Sequence, residues 1–258
     1  TLFRSRFGLI SDYPLCLPLR SLFILKIMHS RTLIKNAILV NEGQQSIGSL
    51  VIDGDRIEEI LLGADAMPQL PPDTVIDAEG CYLLPGVIDE HVHFRDPGLT
   101  AKGDFYTESR AAAAGGVTTV IDMPNTIPPT VTKERLLQKI EIAKQQSLVN
   151  FGFFLGATPA NAARLKDVNP RLVAGIKLFM GSSTGELQVE DRPTLRTIFE
   201  QSQLPIMVHC EDTPMITAKM KAYKEKYGAD PHVRYHAEIR PSEACVKSTK
   251  EAIALARE

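Results

Sequence analysis

The alternation of hydrophobic and polar residues changes rhythm once along the chain, near residue 86. Before that point short runs rich in Val, Ile, Leu and Thr occupy 32–40, 49–52, 56–62 and 74–84. Asn41-Glu42-Gly43, Asp53-Gly54-Asp55, Pro71-Pro72-Asp73 and Glu79-Gly80 supply turn chemistry among them. Asp-Gly between two apolar runs is a hairpin signal, because both residues tolerate the left-handed backbone that a tight turn needs. The pattern predicts a small β domain over 28–86, expected as a β-sandwich, with nothing catalytic in it.

After residue 86 strands alternate with helices. Strands are predicted at 87–94, 117–123, 151–155, 173–180 and 205–210, and helices at 104–114, 133–146, 160–166, 193–203, 214–227 and 241–257. Such alternation implies parallel strands joined by helical crossovers. An open doubly wound sheet and a (β/α)8 barrel both satisfy it. The polar residues separate the two, since a barrel collects its working groups at the C-terminal ends of several strands. His91, His93 and Arg95 end the first strand, Asn125 follows the second, Lys177 falls late in the fourth and His209 late in the fifth. No G-x-G-x-x-G follows any strand, so a dinucleotide fold has no support. The expectation is α/β: a TIM-type barrel over 87–258, truncated after about five βα units where a full barrel has eight.

Composition narrows the function classes. With 258 residues, 44% of them hydrophobic, the chain can bury a large core. Lys+Arg 29 against Asp+Glu 31, without a dense basic run, leaves no electrostatic footprint for nucleic acid. Cys16, Cys81, Cys210 and Cys245 form no C-x-x-C pair, so neither a zinc knuckle nor a disulfide framework is indicated, and a reducing cytoplasm is expected. Arg4 and Arg6 precede an apolar stretch over 15–27 that Pro18, Arg20 and Lys26 interrupt, too short and too broken for a membrane span. Residues 1–27 read as an upstream extension, with a poor targeting peptide as the alternative, and are set apart from the fold.

The chemistry centres on Pro85 to Gly98. On a strand, Asp89, His91, His93 and Arg95 share one side while Ile88, Val92 and Phe94 point to the other, so the two imidazoles can hold one metal ion. His-x-His alone is a weak signal, because such a pair is more often two ordinary core or surface residues. Lys177 strengthens it, as a lone lysine in the apolar run 173–180. It could simply reach out at the strand end. If buried, however, its charged form is disfavoured, and a neutral amine can add carbon dioxide and lose a proton to give a carbamate. That group offers two oxygens, like a carboxylate, and could bridge two metals. His209 repeats the arrangement of an apolar strand ending in imidazole and carboxylates. Two metals about 3.5–4 Å apart, held by such a set, equip a site for amide hydrolysis or its reversal.

Pro85-Gly86-x-Ile88-Asp89-x-His91-Val92-His93-Phe94-Arg95-Asp96-Pro97-Gly98, Asp122-Met123-Pro124-Asn125-Thr126, Ile176-Lys177-Leu178-Phe179-Met180 and Val208-His209-Cys210-Glu211 together resemble the dihydroorotases of the amidohydrolase superfamily. The likeness runs from about residue 30 to the end. The first motif would match allantoinases and hydantoinases equally, and Arg95 combined with Met-Pro-Asn-Thr points to dihydroorotase. The resemblance implies that His91 and His93 ligate a first zinc, His209 a second, and N6-carboxylated Lys177 bridges them. It further implies that Arg95 and Asn125 bind the substrate carboxylate, a task suited to a planar guanidinium fork and an amide donor. Asp89 would orient a ligand histidine or make a structural hydrogen bond. Asp96 reads as a turn residue, and 239–244 as the start of the fifth barrel helix. The family's further zinc histidine and its catalytic aspartate are expected beyond residue 258, so no catalytic residue is assigned within this chain.

The implied reaction is reversible closure of N-carbamoyl-L-aspartate to L-dihydroorotate in pyrimidine biosynthesis, with a small-molecule substrate and a homo-oligomeric state. Allantoinase or dihydropyrimidinase (hydantoinase) activity is the enzymatic alternative. A catalytically silent scaffold subunit is the alternative of another class, and the intact His-x-His and Lys177 argue against it.

Overall fold

A computed structural model describes residues 30–64, 66–181 and 187–258. The expectation for 1–27 lies outside the described residues. The chain divides into two compact units, Thr1–Pro85 and Gly86–Glu258.

In the first unit, strands β1 (Arg31–Asn41), β2 (Gln44–Asp53) and β3 (Arg56–Leu62) form an antiparallel meander, and β4 (Thr74–Asp77) and β5 (Tyr82–Leu83) run parallel to β1. The β1–β2 turn is Glu42-Gly43, both at positive φ, the two-residue hairpin geometry whose twist suits the flanking strands. The run predicted as one strand over 74–84 is two strands. Glu79 and Gly80, both left-handed, break it. A bulge in β1 between Ile34 and Ala37, with Asn36 at φ 56°, matches that break. Asn36 Nδ2 donates to the Asp77 carboxylate at 2.9 Å, so the irregularities on the two strands are tied together. Of the expected sandwich, the described residues supply one five-stranded mixed sheet.

The second unit holds five parallel strands: β6 (Val87–Val92), β7 (Val117–Asp122), β8 (Asn150–Gly156), β9 (Gly175–Met180) and β10 (Ile206–Cys210). They are hydrogen-bonded in strict chain order, β6 to β10. A doubly wound sheet reverses direction at a switch point, whereas here each crossover moves one strand further the same way, which is barrel winding.

Helices α1 (Phe105–Ala114), α2 (Lys133–Gln146), α3 (Arg192–Gln201), α4 (Thr213–Tyr227) and, after a short α5 (His236–Ile239) that the sequence pattern did not predict, α6 (Ser242–Arg257) follow their sequence signals. Asp104, Thr132, Asp191 and Asp212 cap α1 to α4, each accepting from a backbone N–H that the first turn leaves unpaired. The segment expected as a helix over 160–166 is a single 3-10 stretch, Ala162–Asp167. No helix among the described residues is long and apolar enough to cross a membrane.

The main core lies between sheet and helices. Val120, Phe153, Leu155, Ile176, Leu178 and Met180 meet Leu136, Ile140, Ala143, Leu195, Ile198 and Leu255 from the helical layer. Because strand side chains alternate, these residues leave Lys177 and Phe179 of β9, and Met207 and His209 of β10, on the opposite, inner face. That parity sends two of the sequence-selected residues toward the barrel axis.

Candidate functional site

β6 ends at Val92, two residues short of the expected boundary, and its termination shapes the site. Val92 O accepts from Met123 N at 3.0 Å, but the next strand-like donor, Phe94 N–H, turns to the Asp122 carboxylate at 2.8 Å instead of a carbonyl. The chain leaves the sheet there, and Arg95 takes a left-handed φ of 67°. Arg95 therefore lies in the loop rather than on the regular strand face expected for it. Its charge still bears on His93, whose ring it helps to hold neutral.

His91 and His93 lie side by side, ring centroids 5.3 Å apart. His93 Nδ1 donates to Asn125 Oδ1 at 2.7 Å, which leaves Nε2 as the lone-pair nitrogen of a neutral ring. Among the described residues the Asn125 amide nitrogen makes no hydrogen bond. The two loops are fastened beyond this bond as well: Ile127 N donates to Pro97 O at 3.0 Å, and Gly98, at φ 86°, fits where a Cβ would collide with the Ile127 carbonyl.

Asp89 accepts from the backbone N–H of His91 at 3.0 Å, the structural bond named as one of its two readings. The orienting contact to an imidazole comes instead from Asn125. Asp96 is more than a turn residue. It is buried at 6% exposure, accepts from the Phe105 backbone, and has its carboxyl pushed above the usual range by burial.

Lys177 is 1% exposed, third of six residues in a strand that is buried throughout. Burial depresses its pKa. Its Nζ stands 5.1 Å from the centroid of the Phe179 ring, and among the described residues no carboxylate or carbonyl accepts from it. On β10, His209 Nε2 donates to Glu211 Oε2 at 3.3 Å, leaving Nδ1 as lone-pair nitrogen in the neutral ring. Glu211 is in turn gripped by Arg240, through Nε at 3.2 Å and through Nη2. Arg240 precedes α6, the helix that the 239–244 segment was expected to open.

Lys177 Nζ and the His209 ring both flank Phe179, 5.1 and 6.2 Å from its ring centroid. The pKa of His91 is lowered first by burial and then by Lys177. Among the described residues no three His, Cys, Asp or Glu side chains stand together as a metal cage.

Sequence reasoning missed two supports of this site, the Glu211–Arg240 pair and a fully buried ion pair, Asp122–Lys139, at 2.6 Å. The second had a visible signal. Leu136, Lys139, Ile140 and Ala143 form the buried stripe of α2 at i, i+3, i+4 and i+7, so Lys139 occupies a core position in the helical pattern.

The amidohydrolase family model matches residues 82–255, two thirds of the chain. The chain belongs to the amidohydrolase family. Its sequence is 38% identical to the dihydroorotase of Methanosarcina mazei over 218 residues, covering 83% of this chain and 46% of that protein. It is 32% identical to the allantoinase of Deinococcus radiodurans over 232 residues, 88% of this chain and 50% of that one. Among solved structures, the L-hydantoinase from Arthrobacter aurescens superposes with a TM-score of 0.81 at 28% identity, covering 89% of this chain and 51% of the other. The chain thus spans about half the length of the curated relatives it matches. The chain shares the amidohydrolase family model and the fold of the hydantoinase.

Proposed function

We propose that this amidohydrolase is a dihydroorotase, interconverting N-carbamoyl-L-aspartate and L-dihydroorotate with the help of a zinc pair. The observation that supports the reading is that Lys177 Nζ and the His209 ring lie 5.1 and 6.2 Å from the Phe179 ring centroid, on strands β9 and β10, with His91 beside His93 at the end of β6. The identity to the Methanosarcina mazei dihydroorotase adds to it.

The residues present suit the metals chemically. Burial favours neutral imidazole at His91 and His93 and neutral amine at Lys177. Asn125 and Glu211 each tie down one ring nitrogen and so define which remains a ligand. On this reading His91 and His93 would hold one ion and His209 the second, with a carbamate on Lys177 shared between them. Bound zinc would supply a Lewis acid for the amide carbonyl and acidify water.

The protein's own groups do the rest. Arg95, at the loop tip beside His93, offers its guanidinium fork to the substrate carboxylate, and Asn125 Nδ2 adds a donor from the neighbouring loop. Their loops are fastened by the Ile127 N–H to Pro97 O bond, which would set the substrate carboxylate relative to His93.

The test is an assay of the intact protein on dihydroorotate, allantoin and hydantoin, alongside zinc analysis. Turnover of dihydroorotate with zinc near two per chain supports the proposal. Preference for allantoin or hydantoin would reassign the substrate within the cyclic amidases, and a zinc content near zero would favour a silent scaffold.

A further inference from the structure

Between β7 and α2, the Asp122 and Lys139 side chains are both 0% exposed and 2.6 Å apart. Such a pair is a weak source of stability, because removing two charges from water offsets most of their attraction, and apolar replacements of similar volume often serve as well. Its bonds outward are more informative. Asp122 Oδ1 accepts from the N–H of Phe94, the residue after His93. Lys139 Nζ donates to the carbonyl of Met123 at 2.8 Å, two residues before Asn125. Met123 N in turn donates to Val92 O, the residue before His93. The pair thus holds the backbone on both sides of the His93–Asn125 hydrogen bond.

We propose that Asp122 is a positioning residue of the site: its carboxylate holds the Phe94 amide and so sets how His93 faces Asn125, while Lys139 neutralises the buried charge. Without the Asp122 carboxylate, the Phe94 N–H would seek a carbonyl, β6 would run on as regular strand, and the His93 ring would lose its alignment with Asn125 Oδ1. The inference rests on the metal-site reading for its functional consequence and on the hydrogen bonds alone for its geometry.

Two double variants of the 258-residue chain separate positioning from packing. Asp122→Leu with Lys139→Met removes charge and acceptor together. Asp122→Asn with Lys139→Met removes the charge and keeps an amide oxygen for Phe94 N–H. Zinc affinity is read by competition with a chromophoric chelator, and protection of the Phe94 amide by hydrogen exchange on metal-free protein. In the leucine form, zinc affinity should fall by about 10–100-fold, the range for loss of a group that orients a ligand, and Phe94 should exchange faster. In the asparagine form, both should stay near the parent. If the leucine form does not fold, Asp122→Ala with Lys139→Met carries the same comparison.

Parent-like zinc affinity and exchange in both doubles would overturn the proposal, and so would equal losses in both, because the acceptor survives in one of them. A parent chain that binds no zinc would count against the metal-site reading, while the exchange at Phe94 still decides whether Asp122 positions the loop.

Discussion

Lys139 and Lys177 are equally hidden, at 0% and 1% exposure, yet their replacement by Met should move stability in opposite directions. Lys139 neutralises Asp122, so Lys139→Met strands a carboxylate with no route to water. Breaking one side of a buried pair costs about 3–5 kcal/mol. For a unit of this size each kcal/mol is worth about 2–4 °C, so the melting temperature should fall by about 6–20 °C. Lys177 has no such partner among the described residues. Its ammonium opposes folding, and a methionine of similar length fills the same space. Lys177→Met should gain about 0.5–2 kcal/mol, the usual yield of a well-placed stabilising substitution, or about 1–8 °C.

The pH dependence sharpens the contrast. Burial puts the folded-state pKa of Lys177 below its ordinary 10.5, so between the two values the unfolded chain binds more protons and the parent gains stability as pH rises. The advantage of Lys177→Met is therefore greatest below the folded-state pKa and shrinks as pH climbs toward 10.5. The assay is thermal unfolding followed by circular dichroism, with chelator present and carbon dioxide excluded so that the amine stays unmodified. A fall of several degrees in Lys177→Met at neutral pH would refute the reasoning, since it would mean that the amine serves the fold.

Arg95→Met should weaken substrate binding far more than zinc binding; the reverse result, from calorimetry and metal analysis, would remove Arg95 from the substrate site. Asp96 has a raised pKa, because burial outweighs the Phe105 N–H bond and the nearby Lys139 charge. Its folded form binds more protons than its unfolded form above pH 3.8, so stability is lost as pH rises through that window, and Asp96→Asn should gain on the parent at neutral pH and not in acid. Urea denaturation at both pH values measures the difference, and an equal gain at both would contradict the assignment. Phe105 is fully buried and packs edge-on against Phe94 and Phe153, centroids 5.7 and 6.0 Å away. Phe105→Ala should cost about 3–5 kcal/mol by cavity formation. A loss below about 1 kcal/mol would show that the ring does not brace the loop carrying His93.

Much of this architecture was legible from the chain alone, because it is local. Strand and helix periods and the absence of a glycine-rich nucleotide loop are properties of neighbouring residues, and together with polar residues falling at the ends of several strands they were enough to choose barrel over doubly wound sheet. His91, His93, Lys177 and His209 stood out for the same reason: each is a polar residue at the end of, or inside, an apolar run. Other features were decided only when distant segments met. Nothing near Phe94 in the sequence says that its N–H will leave the strand for Asp122, ending β6 early and turning Arg95 left-handed. Nor does local pattern say that Asn125 rather than Asp89 will orient an imidazole, or that Arg240 will grip Glu211 from 29 residues away. Periodicity determines which side of an element a residue takes. The partner it finds there depends on which backbone donors and buried charges the packed fold leaves unsatisfied, and that is a property of the whole.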